Sequence, residues 1–418
     1  MHKKIITLSL AFLLLLSGFL CLAQNNTNSP YTRFGYGEIA NFGSGKSKTM
    51  GGTSVGIRSE NSINSANPAS YTSIDSLTFI FEFGAEGRSS YLSTSQGTIN
   101  SFNANFEFVT MQFPIKKWLA ASVGLLPYSF VGYKIKQSDS IQLPSNAGSQ
   151  TVQYEQTFSG SGSINQAYIG LSTKIGKHIA LGVNTSYLFG SIQNSDRLSF
   201  LENTNYSVTL KNAILTVRDI NFRYGLQYFT NISPNKLINI GLVFENKSYI
   251  RGNYSIEISG IDTISAPNST NFETPLVLGG GISYEVKDKF LVGTDILFHN
   301  WSDANYFGVK DSLANQFKIS LGGEYRHQIN AKNYLQKITY RLGAFASNDY
   351  LNNNNNQPNY GITFGFGFPS KGNKSMVNIG FEYGKYGTLS NNHIREDYLK
   401  FTLNTNFNET WFFKRRFE

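Results

Sequence analysis

Cysteine is nearly absent from this chain: one residue, Cys21, stands among 418. Charge is scarce too, at 15% against roughly a quarter in soluble globular proteins. Beyond the first two dozen residues no apolar run is long enough to cross a bilayer as a helix. Each shortage removes a class of protein. With Cys21 inside a leader, disulfides, thiol nucleophiles and cysteine-ligated metals drop out together. Low charge argues against an ordinary soluble domain, and a mean hydropathy of −0.24 argues against a bundle of membrane helices. What remains is aromatic and polar without being charged. The chain holds 33 Phe and 24 Tyr, which excludes wholesale disorder, and Asn, Ser, Thr and Gly supply the polarity. That mixture suits strands with one apolar and one polar face.

Residues 1–23 read as a secretory signal peptide. His2, Lys3 and Lys4 give a basic start, residues 5–16 are almost wholly apolar, and Cys21, Leu22 and Ala23 precede a cleavage point before Gln24. Leu20 stands where a lipoprotein signal needs a small residue. The net charge of +9 loses Lys3 and Lys4 on cleavage and falls to about +7. No basic cluster lies in the body of the chain, so no nucleic-acid partner is expected.

From Ser76 onward the apolar residues recur with period two. Phe317, Ile319, Leu321, Gly323 and Tyr325 alternate with Lys318, Ser320, Gly322, Glu324 and Arg326. Ile220, Phe222, Tyr224, Leu226 and Tyr228 alternate in the same way, as do Ile362, Phe364, Phe366 and Phe368. About fourteen such segments are expected, near 77–90, 100–114, 118–136, 163–176, 178–194, 212–231, 236–258, 274–286, 288–303, 314–328, 336–348, 359–369, 374–386 and 396–413. Alternate links are short, and those between them are long and polar, such as 137–162, 195–211, 259–273 and 349–357. An even strand count with tight turns at one end and long loops at the other describes an all-β, 14-stranded antiparallel transmembrane β-barrel over 76–418. Lipid enforces closure, because each unpaired backbone group in hydrocarbon costs several kcal/mol.

Residues 24–75 do not alternate. They carry Gly51, Gly52 and the triplet Asn67, Pro68, Ala69, and too little apolar content for a free domain. They are expected to fold inside the barrel as an N-terminal plug. Its Arg33, Lys46, Lys48 and Arg58 face inward carboxylates such as Glu82, Glu107, Glu324 and Glu382. Two nucleotide-like patterns are decoys. Gly35, Gly37 and Ala40 fit G-x-G-x-x-A without a preceding strand, and Gly45, Lys46 and Ser47 resemble the end of a phosphate loop without a hydrophobic helix after them.

The stretch from Met50 to Gly56, followed by Asn67, Pro68, Ala69 and Ser70, resembles the plug signature of the FadL/TodX-type outer-membrane transporters of hydrophobic compounds. The segment Thr274, Pro275, Leu276, Val277, Leu278 and Gly279, running through Asp295 to Trp301 and Ser302, strengthens the resemblance. So does the count of fourteen strands after a plug. The opening Pro30, Tyr31, Thr32, Arg33 and the closing Trp411, Phe412, Phe413 resemble the Bacteroidetes-type branch. The resemblance implies transport of long-chain fatty acid-like solutes in the cell outer membrane. Solute is captured at outer loops, and it leaves sideways through a kinked third strand. Pro127, which cannot donate to a ladder, and Gly132 mark that kink. The resemblance also implies outer-membrane lipid and the barrel assembly machinery as partners, with the chain acting as a monomer. The aromatic residue that usually ends such barrels stands one place early, at Phe417.

No catalytic, metal or cofactor site is expected. Asp295 and His299 lie four apart on one face with Trp301 beyond, and read as lumen polar groups beside Glu324 and Arg326. No histidine has a neighbouring nucleophile motif. The alternative to transport is a non-transporting barrel that serves as shuttle partner of a protein-secretion translocon.

Overall fold

The computed structural model describes residues 27–410, apart from residue 96 and the short stretches 146–147, 201–206, 260–263, 268–271, 307–312, 328–331, 352–356, 371–374 and 391–392. The expected signal peptide and the terminal aromatic at Phe417 lie outside the described residues.

Fourteen antiparallel strands form the barrel wall. They are β1 (Thr78–Thr94), β2 (Gly97–Lys116), β3 (Leu119–Ser145), β4 (Gly148–Ile175), β5 (Ile179–Phe200), β6 (Thr209–Ser233) and β7 (Lys236–Glu245), then β8 (Leu276–Val286), β9 (Phe290–Asn300), β10 (Gln316–Arg326), β11 (Thr339–Asn348), β12 (Pro358–Pro369), β13 (Met376–Tyr386) and β14 (Arg395–Thr410). Each pairs with the next, and β14 closes on β1 from Arg395↔Ser93 to Thr410↔Thr78. Closure leaves no terminal strand with an open edge in lipid, as the physics of an apolar solvent requires. The period-two pattern sets the faces. Phe317, Ile319, Leu321 and Tyr325 of β10 are exposed outward, while Ser320 and Glu324 are buried inward. Trp118, Tyr228, Tyr325 and Tyr340 sit on the outer wall toward the short-turn end, where an interfacial aromatic girdle belongs.

Two expectations are corrected. Residues 137–162 and much of 195–211 are not loops: β3 and β4 pair without break from Lys134↔Ser159 to Ser145↔Gly148. At about 3.4 Å per residue and ~40° tilt, strands this long rise roughly 70 Å, far past a hydrocarbon band of ~25 Å. Above the lipid neither face must be apolar, so the alternation fades although the ladder continues. The segment 236–258 is likewise not one strand. It leaves the wall after Glu245, whose carboxylate is taken by Arg223 and Asn221. The chain then returns as Gly252–Ile258, paired back onto the upper half of β6.

Residues 27–75 pack against the inward faces of the strands. The triplet Asn67, Pro68, Ala69 opens a 3-10 turn, Pro68–Ser73, with the Asn67 side chain accepting from the Ala69 N–H at 3.1 Å. The same side chain donates to the Val55 carbonyl at 2.9 Å. The barrel makes room for the motif by omitting side chains: a Cβ at Gly225 would stand 2.2 Å from Asn67 Oδ1, and one at Gly182 would stand 2.4 Å from the Pro68 carbonyl carbon.

Candidate functional site

One seam in the wall departs from the regular ladder. Strands β2 and β3 pair only from Lys116↔Leu119 up to Val109↔Leu125. Above that point β2 continues along β1 to Gly97, and β3 continues along β4 to Ser145. The ladder between them therefore stops roughly 20 Å above the short turn, in the outer half of the membrane. Each lip carries a bulge where it begins. On β2, Gly84 and Ala85 of β1 face Phe108 and Phe106, so Glu107 is the extra residue. On β3, Pro127 and Ser129 face Asn165 and Ile164, so Tyr128 is the extra one. Pro127 thus sits where the sequence placed a kink, and the missing proline donor is the local cause.

The plug occupies the inner side of this seam. Glu38 and Ile39 form a two-residue strand paired with Phe130 and Ser129 of β3, and the Ala40 N–H donates to the Tyr128 carbonyl at 2.9 Å. Phe42 packs on the Tyr128 ring. Thr32 both accepts from the Gly132 N–H and donates to its carbonyl, each at 3.1 Å. Gly132, which the sequence paired with Pro127 as marking the kink, is thus an anchor point for the plug. On the opposite lip, Lys48 of the plug forms an ion pair with Glu107.

Three compartments follow one another beside these contacts. An outer crevice of about 420 Å³ lies among Arg33, Phe34, Tyr133, Phe158, Tyr254 and Tyr306. An inner cavity of about 140 Å³ is lined by residues 37–42 with His299, Lys318, Phe345 and Tyr350. A smaller one of about 60 Å³ touches both lips through Asn105, Glu107, Pro127 and Phe130. The plug makes the partitions. Gly35 and Gly37, both at positive φ, form the turn between crevice and cavity. Tyr306 holds that turn through the Gly35 carbonyl at 2.7 Å, and Tyr350 through the Gly37 carbonyl at 2.5 Å. Residues 38–41 border both inner cavities.

Below the cavities the lumen is closed by charge. Glu324 receives Lys46 at 3.3 Å, Arg326 at 2.7 Å and Arg341 at 2.7 Å. At the level of the cavities themselves, Arg88, which lines both, bridges Glu38 and Glu396 at 2.5 and 2.6 Å. Such buried networks stabilise only when every partner is present, because loss of one leaves a desolvated charge. Of the four plug cations expected to meet carboxylates in the lumen, Lys46 and Lys48 do so. Arg58 instead binds the Ala69 carbonyl and Gln227 and lies over Phe229, and Arg33 lies over Phe158.

Asp295 and His299 do not form a pair. The Asp295 carboxylate accepts the Ser54, Val55 and Gly56 N–H groups at 2.5, 2.7 and 3.2 Å. It is a seat for the plug backbone just past Gly51 and Gly52, both at positive φ. His299 faces the inner cavity. Trp301 is fully buried between Tyr36 and Tyr350, part of an aromatic layer beneath the outer loops. Sequence reasoning singled out neither Tyr128 nor the strand at Glu38–Ile39. Their one visible signal was the neighbouring Pro127.

The barrel has the fold of solved hydrophobic-compound channels. The Ralstonia pickettii toluene transporter TbuX matches at TM-score 0.59 and 15% identity, over 88% of this chain and 98% of that one. The Pseudomonas putida toluene transporter TodX matches at 0.56 and 13%, over 89% and 99%. A Pseudomonas aeruginosa FadL homologue matches at 0.53 and 10%, over 90% and 99%. No curated protein matches the chain. The family model described as BamG matches residues 1–418.

Proposed function

The chain is a member of the BamG family, and from that premise and the compartments above we propose that it moves small hydrophobic compounds across the outer membrane without altering them chemically. The observation that carries the reading is the series of crevice, inner cavity and seam, with residues of the plug segment 33–41 lining each of them. A solute of the long-chain fatty acid type enters among Phe34, Tyr133 and Phe158. Displacement of the turn at Gly35 and Gly37 admits it to the inner cavity, and displacement of the strand at Glu38 and Ile39 opens the lips. It then leaves sideways into lipid. Lateral release spares an apolar solute the ion-paired floor of the lumen around Glu324, where desolvating charge for an apolar guest is costly. That two structural neighbours are toluene transporters agrees with this reading. The test is uptake of a fluorescent long-chain fatty acid and of toluene by cells with and without the protein. A rate that depends on the protein for either probe supports transport, and identical rates for both oppose it.

A second reading has its own support. The BamG label points toward the machinery that assembles outer-membrane barrels, and it covers the whole chain. In that reading the plugged barrel is a non-transporting partner of an assembly or secretion complex. Stoichiometric copurification with such subunits, without protein-dependent uptake, would select it.

A further inference from the structure

Strand β6 carries Arg218 on its outward face, directly above the exposed row Ile220, Phe222, Tyr224, Leu226 and Tyr228. That row climbs roughly 20 Å along the membrane normal at about 3.4 Å per residue and ~40° tilt. Arg218 therefore stands where hydrocarbon gives way to outer-leaflet headgroups. Its N–H donates to the Arg251 carbonyl at 2.8 Å. The ladder that pairs Gly252 with Val217, carried one step on, sets Arg251 directly opposite it. Directly opposed residues share a face, with Cβ atoms about 5 Å apart, and like charges so placed repel.

Both arginines are exposed. Among the described residues the same-face neighbours of Arg218 carry no counter-charge: Phe189 lies across from it on β5, and Thr216 and Ile220 flank it on β6. Arg251 feels the Asp219 carboxylate through space. Asp219 turns inward, where Ser248 donates to it at 3.2 Å. Below the two guanidinium groups the same wall holds a shallow apolar groove of about 600 Å³ lined by Tyr224, Leu226, Leu242, Phe244 and Leu278. Its depth at Gly280 comes from a missing side chain, since a Cβ there would meet only Leu242, at 3.7 Å.

We propose that Arg218 and Arg251 clamp the phosphate of an outer-leaflet lipid headgroup, whose acyl chain lies in the groove below. The guanidinium fork matches phosphate oxygens in bidentate fashion. A phosphate between the two groups turns the cross-strand repulsion into a shared attraction. A basic residue that merely marks the membrane interface needs no such opposed pair and no groove.

The experiment is native mass spectrometry of the full-length protein in mild detergent, with phosphatidic acid and diacylglycerol of the same acyl chains as probes. Wild type is expected to retain phosphatidic acid over diacylglycerol by about ten-fold or more, the worth of one hydrogen bond to a charged group. Arg218→Gln with Arg251→Gln should remove that preference, and Gly280→Leu should weaken retention with both arginines intact. If the double variant does not fold, Arg251→Gln alone, outside the barrel strands, should still cut the preference severalfold. Equal retention of the two lipids by wild type would overturn the clamp. Displacement of phosphatidic acid by inorganic phosphate alone would overturn the lipid as its occupant and assign the site to a free anion.

Discussion

Lys48 of the plug and Glu107, the bulged residue of β2, form an ion pair at the point where the β2–β3 ladder ends. Across the seam, the plug reaches the other bulged residue, Tyr128, through Ala40 and Phe42. Both lips of the seam are thus tied to the same plug.

Glu107→Gln removes one partner of this pair and leaves a buried ammonium, a change that costs about 3–5 kcal/mol in comparable sites. The expected outcome is a loosened plug, read as raised ion conductance in planar bilayers. Adding Lys48→Met should restore part of the seal, since neither charge then lies buried alone. Equal conductance in all three proteins would show that the pair does not hold the plug.

Gly343 is expected to tolerate no side chain. A Cβ there would lie 2.2 Å from the Gly51 nitrogen and the Met50 carbonyl carbon, so Gly343→Ala collides with plug backbone and should destabilise by about 1–3 kcal/mol or more. Gly280→Ala, on the lipid face, serves as the control. Thermal unfolding followed by heat-modified gel mobility separates them: the first should fall and the second should not.

Pro127→Ala restores a backbone donor at the β3 bulge. The wall should tighten and uptake of hydrophobic probes should slow, while assembly into the membrane is unchanged. Unaltered uptake of every probe would remove Pro127 from the account of release.

Asp349 lies in the outer loop between β11 and β12, where burial raises its carboxyl to about 6. A carboxyl whose folded value lies above its unfolded value favours the folded state while protonated. That contribution is complete below the unfolded value near 3.9 and disappears as pH rises toward 6, with up to about 3 kcal/mol at stake. Stability should therefore fall between about pH 4 and pH 6 and level off above. Asp349→Asn should remove that part of the profile, as measured by thermal midpoints across the range. An identical profile in the variant would contradict the assignment.

The barrel itself could be read from the sequence because lipid forces its signature. Outward faces such as Phe317, Ile319 and Leu321 must be apolar, inward ones such as Ser320 and Glu324 need not be, and the contrast repeats every second residue. Where lipid ends the contrast ends, so the upper halves of β3 and β4, rich in Ser, Gln and Thr, passed for loops. The seam was half legible. Pro127 announces a broken ladder, whereas Glu107 looks like any inward charge, and alternation says nothing about which neighbour a strand keeps. The partners of the plug cations were equally hidden, because a guanidinium such as that of Arg58 is served as well by Phe229, Gln227 and a carbonyl as by a carboxylate.

The account rests on movement of the plug strand away from β3, and a reversible tether tests that most directly. Ile39 and Ser129 lie directly opposite one another, a spacing at which antiparallel partners admit a disulfide, and the sequence has no cysteine beyond Cys21 to interfere. Uptake of a hydrophobic probe by Ile39→Cys with Ser129→Cys should stop when the pair is oxidised and return on reduction. Uptake at the same rate in both redox states would contradict release through this seam.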